Sequence, residues 1–232
     1  MDTAARSPRT SSPLEPSRRT TVGRGRNRVV GERAALMDFL AHGLIAHVGV
    51  VVDTQPVVLP VAYAVDADGP DRDGTLYLHG SVAARWLRAT PETTLCVTVT
   101  ELDGLVAARS GFHHSMNYRS AVVIGSARLV EDTAERGRAL DLIIDQMIPG
   151  RAATLRPHTR KELAATMVIA LPLHEASMKA RSGGPVDEPE DLDSGAWGGH
   201  LPVTRVIGAP VTAADQAAGV AVPADVVARV TG

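Results

Sequence analysis

The sequence predicts a mainly β chain closed into a barrel, with helices on its periphery. Three observations lead there. Runs rich in Val, Ile, Thr and Tyr recur between clusters of Gly, Pro, Asp and Ser. They follow one another in hairpin-like series, with helical patterns inserted only at intervals. No regular alternation of strand and helix appears, which disfavours a parallel Rossmann sheet.

The 232 residues, 44% hydrophobic and 22% charged, suffice for one sizeable core. The expected organisation is a disordered Arg-rich arm over 1–28, one domain over 29–210 and an Ala/Val-rich extension over 211–232. The arm follows from composition. Seven Arg face only Asp2 and Glu15 between Met1 and Gly31, with little to bury. A net charge of −2 gives no global pull toward nucleic acid or membrane, so nucleic-acid contact is an option for this arm alone. The single Cys96 excludes an intrachain disulfide. No apolar run approaches the roughly 18 residues of a membrane span. Ser17-Arg18-Arg19 is similar to an export signal, but TTVGRGRNRVVGERA stands where an apolar segment is needed, so a cytoplasmic location is expected.

In chain order, ERAALMDFLAH (32–42) puts Ala35, Leu36, Phe39 and Leu40 on one helical face and stops at Gly43. LIAHVGVVV and VVLPVAYAV then form a hairpin around Asp53-Thr54-Gln55-Pro56, and TLYLH is a third strand. Ser81 is the expected N-cap of a helix carrying Arg85 and Trp86, ended by Pro91. TLCVTVTE and GLVAARS read as two strands joined at Asp103-Gly104. SMNYRSAVVIGSARLVED reads as one long strand, with Gly125 at a bulge or close approach. Asp132 with Glu135 opens a helix striped by Leu140, Ile143, Ile144 and Met147, and Thr159 with Glu162 opens a short one. ATMVIALPLHEASMKA is the last strand, followed by a long loop, SGGPVDEPEDLDSGAWGG.

Three clusters carry candidate chemistry. In LYLHGSVAAR, Gly80 admits close backbone approach and Arg85 lies one turn beyond Ser81, so the segment reads either as an anion site or as an ordinary capped helix. In ARSGFHHSMNYRS, adjacent His113 and His114 point to opposite faces if they lie in a strand and cannot chelate one metal, so no metal site is expected. Asn117, Tyr118, Arg119 and Ser120 offer hydrogen bonds to a ring bearing carbonyls, or pin a strand edge. In SMKARSGGPVD with AWGG, Trp197 lies over an aromatic ligand, seals a seam or anchors a loop. Neither G-x-x-x-x-G-K-[ST] nor G-x-S-x-G occurs.

Taken together, GLIAHVGVVVDTQPVVLPVAYAV, LYLHGS, LDGLVAARS, HHSMNYRSAVVIG and ASMKARSGGPVD with AWGG resemble the pyridoxamine 5'-phosphate oxidase-like superfamily, in its flavin-nucleotide-binding and nitroimidazole-resistance branch. The resemblance spans about residues 30 to 210. It implies a split β-barrel that forms a homodimer and holds FMN at the dimer interface. By that resemblance the backbone of Leu59, Pro60 and Val61 flanks the flavin ring, and His79, Gly80, Ser81 and Arg85 meet the ribityl phosphate. Asn117, Tyr118, Arg119 and Ser120 approach from a facing strand or subunit, and Lys179, Arg181 and Trp197 close the site. VVLPVAYAV and WGGHLPV lack the cations with which authentic family members anchor the vitamin phosphate, so pyridoxal phosphate synthesis is not expected.

The expected function is an FMN-dependent oxidoreductase acting on a small molecule such as a nitro compound or quinone. His79, or Tyr118 with Arg119, is then the proton donor or electrostatic stabiliser near the ring. The alternatives are a non-enzymatic flavin carrier or redox sensor, and a haem protein with His79, His113 or His114 as axial ligand.

Overall fold

The computed structural model describes residues 13–90 and 93–231. Residues 1–12 of the expected arm, and Pro91, lie outside the described residues. Residues 13–28 run along a sheet edge: Leu14 N–H donates to the Gly31 carbonyl, Arg19 pairs with Glu175, and Lys179 Nζ donates to the Arg24 carbonyl.

Two antiparallel sheets form the body. The larger contains β1 (Val29–Val30), β2 (Ala46–Val52), β3 (Gln55–Val61), β6 (Thr94–Ala107), β7 (Ser115–Ser126), β10 (Ala176–Arg181) and β11 (Gly199–Pro202). Its order is β1-β10-β7-β6-β2-β3, with β11 joining β6 beyond the reach of β2. The smaller contains β4 (Tyr63–Asp66), β5 (Thr75–Ser81), β8 (Arg128–Leu129) and β9 (Thr166–Pro172), in the order β4-β5-β9-β8. The helices are α1 (Arg33–His42), α2 (Arg85–Ala89), α3 (Thr133–Met147), α4 (Arg160–Ala165) and α5 (Ala224–Thr231). This is the mainly β, split-barrel architecture expected from the sequence.

The smaller sheet is buried on both faces, which explains the unbroken apolar run of β5. Leu76 and Leu78 join Tyr63, Ile169 and Leu171 in the main core with α1, β2, β6 and β7. Tyr77, on the opposite face, packs with Ala64, Val168 and Ala170 under Ala139, Leu140 and Ile143 of α3. Each such side chain taken out of water contributes about 1.5–3 kcal/mol before entropy is counted.

Four expected strand readings are drawn differently. SMNYRSAVVIGSARLVED breaks at Ala127, and its parts, β7 and β8, pair in different sheets. VVLPVAYAV breaks at Ala62, and its halves enter different sheets. ATMVIALPLHEASMKA likewise divides at Leu173–Glu175 into β9 and β10. Asp103-Gly104 makes no hairpin: β6 runs straight through, and Asp103 is the extra residue of a bulge between the pairs Leu102↔Tyr118 and Gly104↔Asn117. The turn signal gave way to a ladder with β7 that continues on both sides.

The helix signals fare better. Asp132 accepts the Glu135 N–H at 2.7 Å, and Thr159 with Glu162 forms a full capping box. Gly43 does close α1, but in an extended rather than a left-handed conformation. A glycine is required there because a Cβ would collide with Tyr63 Oη, which donates to the Leu40 carbonyl at 2.6 Å. Gly125 marks a close approach, its hypothetical Cβ lying 3.1 Å from Leu171 Cδ1. Among the described residues no helix is long and apolar enough to cross a membrane.

Candidate functional site

The break at Ala62 is where β3 and β4 part into different sheets. β4 and β5 pair from Tyr63↔Leu78 onward, so His79, Gly80 and Ser81 extend past the point where β3 leaves for the larger sheet. β3 is an edge strand, and its free backbone polar groups lie beside that divergence. Its two prolines, Pro56 and Pro60, suit an edge position. Val61 ends β3 one residue before the divergence, and the pair Tyr63↔Leu78 puts His79 next along β5 beyond it.

His79 is half-buried, and its Nδ1 is buried without a hydrogen-bond partner. Burial lowers its pKa below the ordinary 6.5, so the neutral imidazole prevails at physiological pH. Gly80 packs under α2, where a Cβ would lie 2.8 Å from Leu87 Cδ1.

The anion-site geometry read from LYLHGSVAAR needs correction. Ser81 is not the N-cap of α2, since that position belongs to Ala84, which has no capping side chain. Ser81 instead folds a turn: its Oγ accepts from Ala83 N–H at 3.2 Å, and its carbonyl accepts from Ala84 N–H at 2.9 Å. Val82 N–H donates to the Ala165 carbonyl at 3.1 Å. These donors are already engaged, and α2 spans only five residues. Arg85 pairs with Asp53 at the left-handed tip of the β2–β3 hairpin, where Asp53 has φ 47° and Thr54 φ 67°.

The second cluster lies elsewhere in the chain. β7 is separated from β3 by β6 and β2, three strand spacings or about 14 Å. Strand alternation also divides the four residues. Asn117 and Arg119 face inward, where Arg119 lies over the Phe39 ring at 5.5 Å and holds Asp103 in a fork at 2.9 and 3.0 Å. Tyr118 and Ser120 face outward, with Ser120 Oγ 3.3 Å from Thr100 Oγ1. Lys179 and Arg181 pair in register with Ser120 and Tyr118 on the neighbouring β10. The Arg181 guanidinium curls over the strand end to Asn117 Oδ1 and the Gly184 carbonyl, while Asn117 Nδ2 donates to the Gly183 carbonyl at 3.0 Å. Within one chain, the groove and the β7–β10 cluster do not form one site.

The expectation that His113 and His114 occupy a strand is also corrected. His113 ends a short 3-10 turn, Gly111–His113, and β7 begins only at Ser115. Trp197 is 66% exposed beside β11, so it is not a buried loop anchor. The loop is held instead by Asp187, whose carboxylate takes the backbone N–H of Arg109 at 2.9 Å and its guanidinium at 2.8 Å. Burial alone would raise the Asp187 pKa, but the two Arg109 contacts outweigh it and hold the group below its ordinary value. Nothing in DEPEDLD distinguished Asp187 from its acidic neighbours. Among the described residues no group of three or more His, Cys, Asp or Glu could hold a metal ion.

A family model described as pyridoxamine 5'-phosphate oxidase matches residues 32–180, the stretch from α1 to β10. The chain belongs to that family. Among solved structures, this family member is similar to the flavocytochrome Anf3 from Azotobacter vinelandii, with 34% identity over 93% of this chain and 98% of that one, and a TM-score of 0.85. It is also similar to an FAD and heme binding protein from Mycobacterium smegmatis, with 41% identity over 88% and 97% of the two chains and a TM-score of 0.80. A protein from Bacteroides thetaiotaomicron described as a 5-nitroimidazole antibiotic resistance protein shares the fold at 20% identity, over 65% and 85% of the chains, with a TM-score of 0.54. No curated protein matches the sequence.

Proposed function

We propose that this chain is a flavin-binding redox protein that works as a homodimer and also carries haem. The observation that carries the flavin part is the buried, unpartnered Nδ1 of His79 on β5, with the free edge of β3 ending at Val61, just before the chain passes into β4. A flat ring bearing carbonyls and N–H groups is the kind of ligand that satisfies both. When bound, the flavin supplies the redox chemistry. The chain's residues do the rest. Backbone groups of Leu59, Pro60 and Val61 orient the ring edge, and neutral His79 offers one hydrogen bond at a nitrogen the fold leaves unpaired. Arg85 can answer the phosphate by leaving Asp53. The groove addresses the ring, ribityl chain and first phosphate that FMN and FAD share. FMN is the form the family resemblance implies, and FAD is the form named for the mycobacterial relative at 41% identity.

The homodimer part follows from the division of the site. The outer face of the larger sheet exposes Ile45, Val51, Val58, Leu102 and Met116 together, an apolar area that a second copy would cover. Across such a seam, outward-facing Tyr118 and Ser120 of one protomer can meet the groove of the other. The haem part is supported by the two similar proteins at 34 and 41% identity, whose names include a flavocytochrome and a haem binder. The missing cations in VVLPVAYAV argue against pyridoxal phosphate synthesis, and reduction or oxidation of a small molecule such as a quinone or nitro compound is the chemistry proposed.

The test is the visible spectrum of the purified full chain, followed by acid release and chromatography of the chromophore, with mass in solution measured on the same sample. Flavin absorbance, release of FMN or FAD and a twofold protomer mass are expected. A colourless protein that neither quenches added FMN nor binds FAD would overturn the reading.

A further inference from the structure

A cavity of about 420 Å³ lies beside His114, where β7 begins and β10 ends, and that volume is within the range of small-molecule sites. Its wall includes Asn27, Arg28, Phe112, His113, His114 and Arg181. Antiparallel pairing of β1 with β10 folds the preceding RNR turn, Arg26–Arg28, toward the end of β10, and Gly25 enters that turn at φ 66°. A Cβ on Gly25 would lie 3.4 Å from Lys179 Nζ and 3.7 Å from Arg28 Cδ, so Lys179 and Arg28 stand close together. Arg181 follows two residues after Lys179, on the same face of β10. Three cations thus gather at one strand end.

None of the three is in an ion pair among the described residues. Their neighbours are: Arg19 pairs with Glu175, Arg109 with Asp187 and Arg119 with Asp103. Arg181 donates to the neutral oxygens of Asn117, Gly183 and Gly184, and Lys179 Nζ to the Arg24 carbonyl. The acids at this end answer other groups, Asp187 holding Arg109 and Glu188 standing 3.6 Å from His113 Nε2. Unpaired cations gathered in this way repel one another until an anion joins them. Beside them Phe112 is 92% exposed, with its ring edge-on to His113 at 5.1 Å. His114 is fixed through Nδ1, 2.9 Å from the Ser110 carbonyl. An open aromatic face next to guanidiniums is what a nucleobase and its phosphates require together.

We propose that this cavity binds a nucleoside diphosphate, with Arg28, Lys179 and Arg181 meeting the diphosphate and Phe112 stacking on the base. The site is separate from the flavin reading above and stands without it. Two molecules bring that group to a redox protein: FAD, in its outer half, and a reduced nicotinamide dinucleotide acting as electron donor. Duplex nucleic acid fits less well, because its bases are already stacked on one another and leave Phe112 nothing to face. The other large cavity, about 610 Å³ beside His42, has its arginines neutralised, Arg119 by Asp103 and Arg205 by Glu101.

The experiment is a calorimetric titration of the full chain with ADP, after exchange of any bound flavin for FMN, repeated with inorganic pyrophosphate and with random duplex DNA. ADP is expected to bind, and Arg28→Gln to weaken it by about tenfold or more. Phe112→Ala is expected to weaken ADP by about fivefold or more and to leave pyrophosphate unchanged. Arg160→Gln removes the same charge from an exposed position on α4 and is expected to match the parent. Neither Arg28 nor Phe112 belongs to the core, so an unchanged urea midpoint checks the fold of both variants. If the occupant is FAD, Arg28→Gln weakens FAD and spares FMN. If it is a nicotinamide dinucleotide, both flavins are spared and NADPH displaces ADP. A parent that binds no ADP overturns the proposal, as does ADP binding that Arg28→Gln and Phe112→Ala leave unchanged. Pyrophosphate binding as tight as that of ADP means an adventitious ion only, and displacement of ADP by duplex DNA gives the cations to nucleic acid, so either result overturns the nucleotide. A chain that binds ADP but no flavin sinks the flavin reading and keeps this one.

Discussion

The groove beside His79 and the cavity beside His114 both hold histidine and arginine, yet their arginines are in opposite states. At the groove, Arg85 is engaged by Asp53 on the facing hairpin. Around His114, Arg181 contacts the neutral oxygens of Asn117 and Gly184, and one acid, Glu188, lies 3.6 Å from His113. Their histidines differ too. His79 is half-buried with one nitrogen unpaired, whereas His114 is exposed with its proton fixed by a carbonyl. A cation's availability is thus set by its nearest acid, and a histidine's role by what holds its other nitrogen.

The strongest challenge to this contrast is Asn117→Ala. It removes the acceptor for Arg181 and the donor to the Gly183 carbonyl at a buried position. A loss of about 1–3 kcal/mol is expected from unfolding in urea. Unchanged stability would mean that Asn117 does not organise the cavity.

A smaller effect tests His79. Its folded pKa lies below the ordinary 6.5, so the native state resists protonation more than the unfolded chain does. Stability is therefore full above that value and is lost as pH falls through the folded pKa. In urea titrations at pH values from about 7 down to 5, the parent midpoint should fall more than that of His79→Gln. Equal slopes would remove the buried, neutral histidine from the account.

The smallest change in stability belongs to Asp53→Asn. The pair with Arg85 is exposed, and asparagine tolerates the left-handed turn, so stability should move by no more than about 0.5 kcal/mol. Flavin affinity should rise at low salt because Arg85 is released, and the gain should shrink as salt screens it. An unchanged affinity at every salt concentration would show that Arg85 does not meet the phosphate.

Much of the fold was legible in the chain. The capping pairs Asp132/Glu135 and Thr159/Glu162 are local, and local hydrogen bonds need only neighbours in sequence. The β-branched runs likewise became strands. The misreadings share a cause. Ala62 and Leu173–Glu175 carry no strong breaker, and the chain divides there because each half finds partners in a different sheet. Asp103-Gly104 carries a strong turn signal, overruled by β7 pairing on both sides of it. For the site, the Asp53–Arg85 pair joins residues 32 apart and left no local mark. Gln146 was missed for the same reason: its side chain reaches back to the carbonyls of Leu40, Ala41 and Gly43 at the end of α1.

The sequence by itself determined the mainly β class, the helix starts, the family and the residues able to carry chemistry, because these depend on side-chain type and on contacts a few residues apart. Only the tertiary structure decided which of those residues share a site. It divided β3 from β4, set β7 about three strand spacings from β3, tied Arg85 to Asp53 and turned Arg181 onto Asn117. Those outcomes depend on strand order and on ion pairs between distant segments, which exist only once the two sheets have closed on their core.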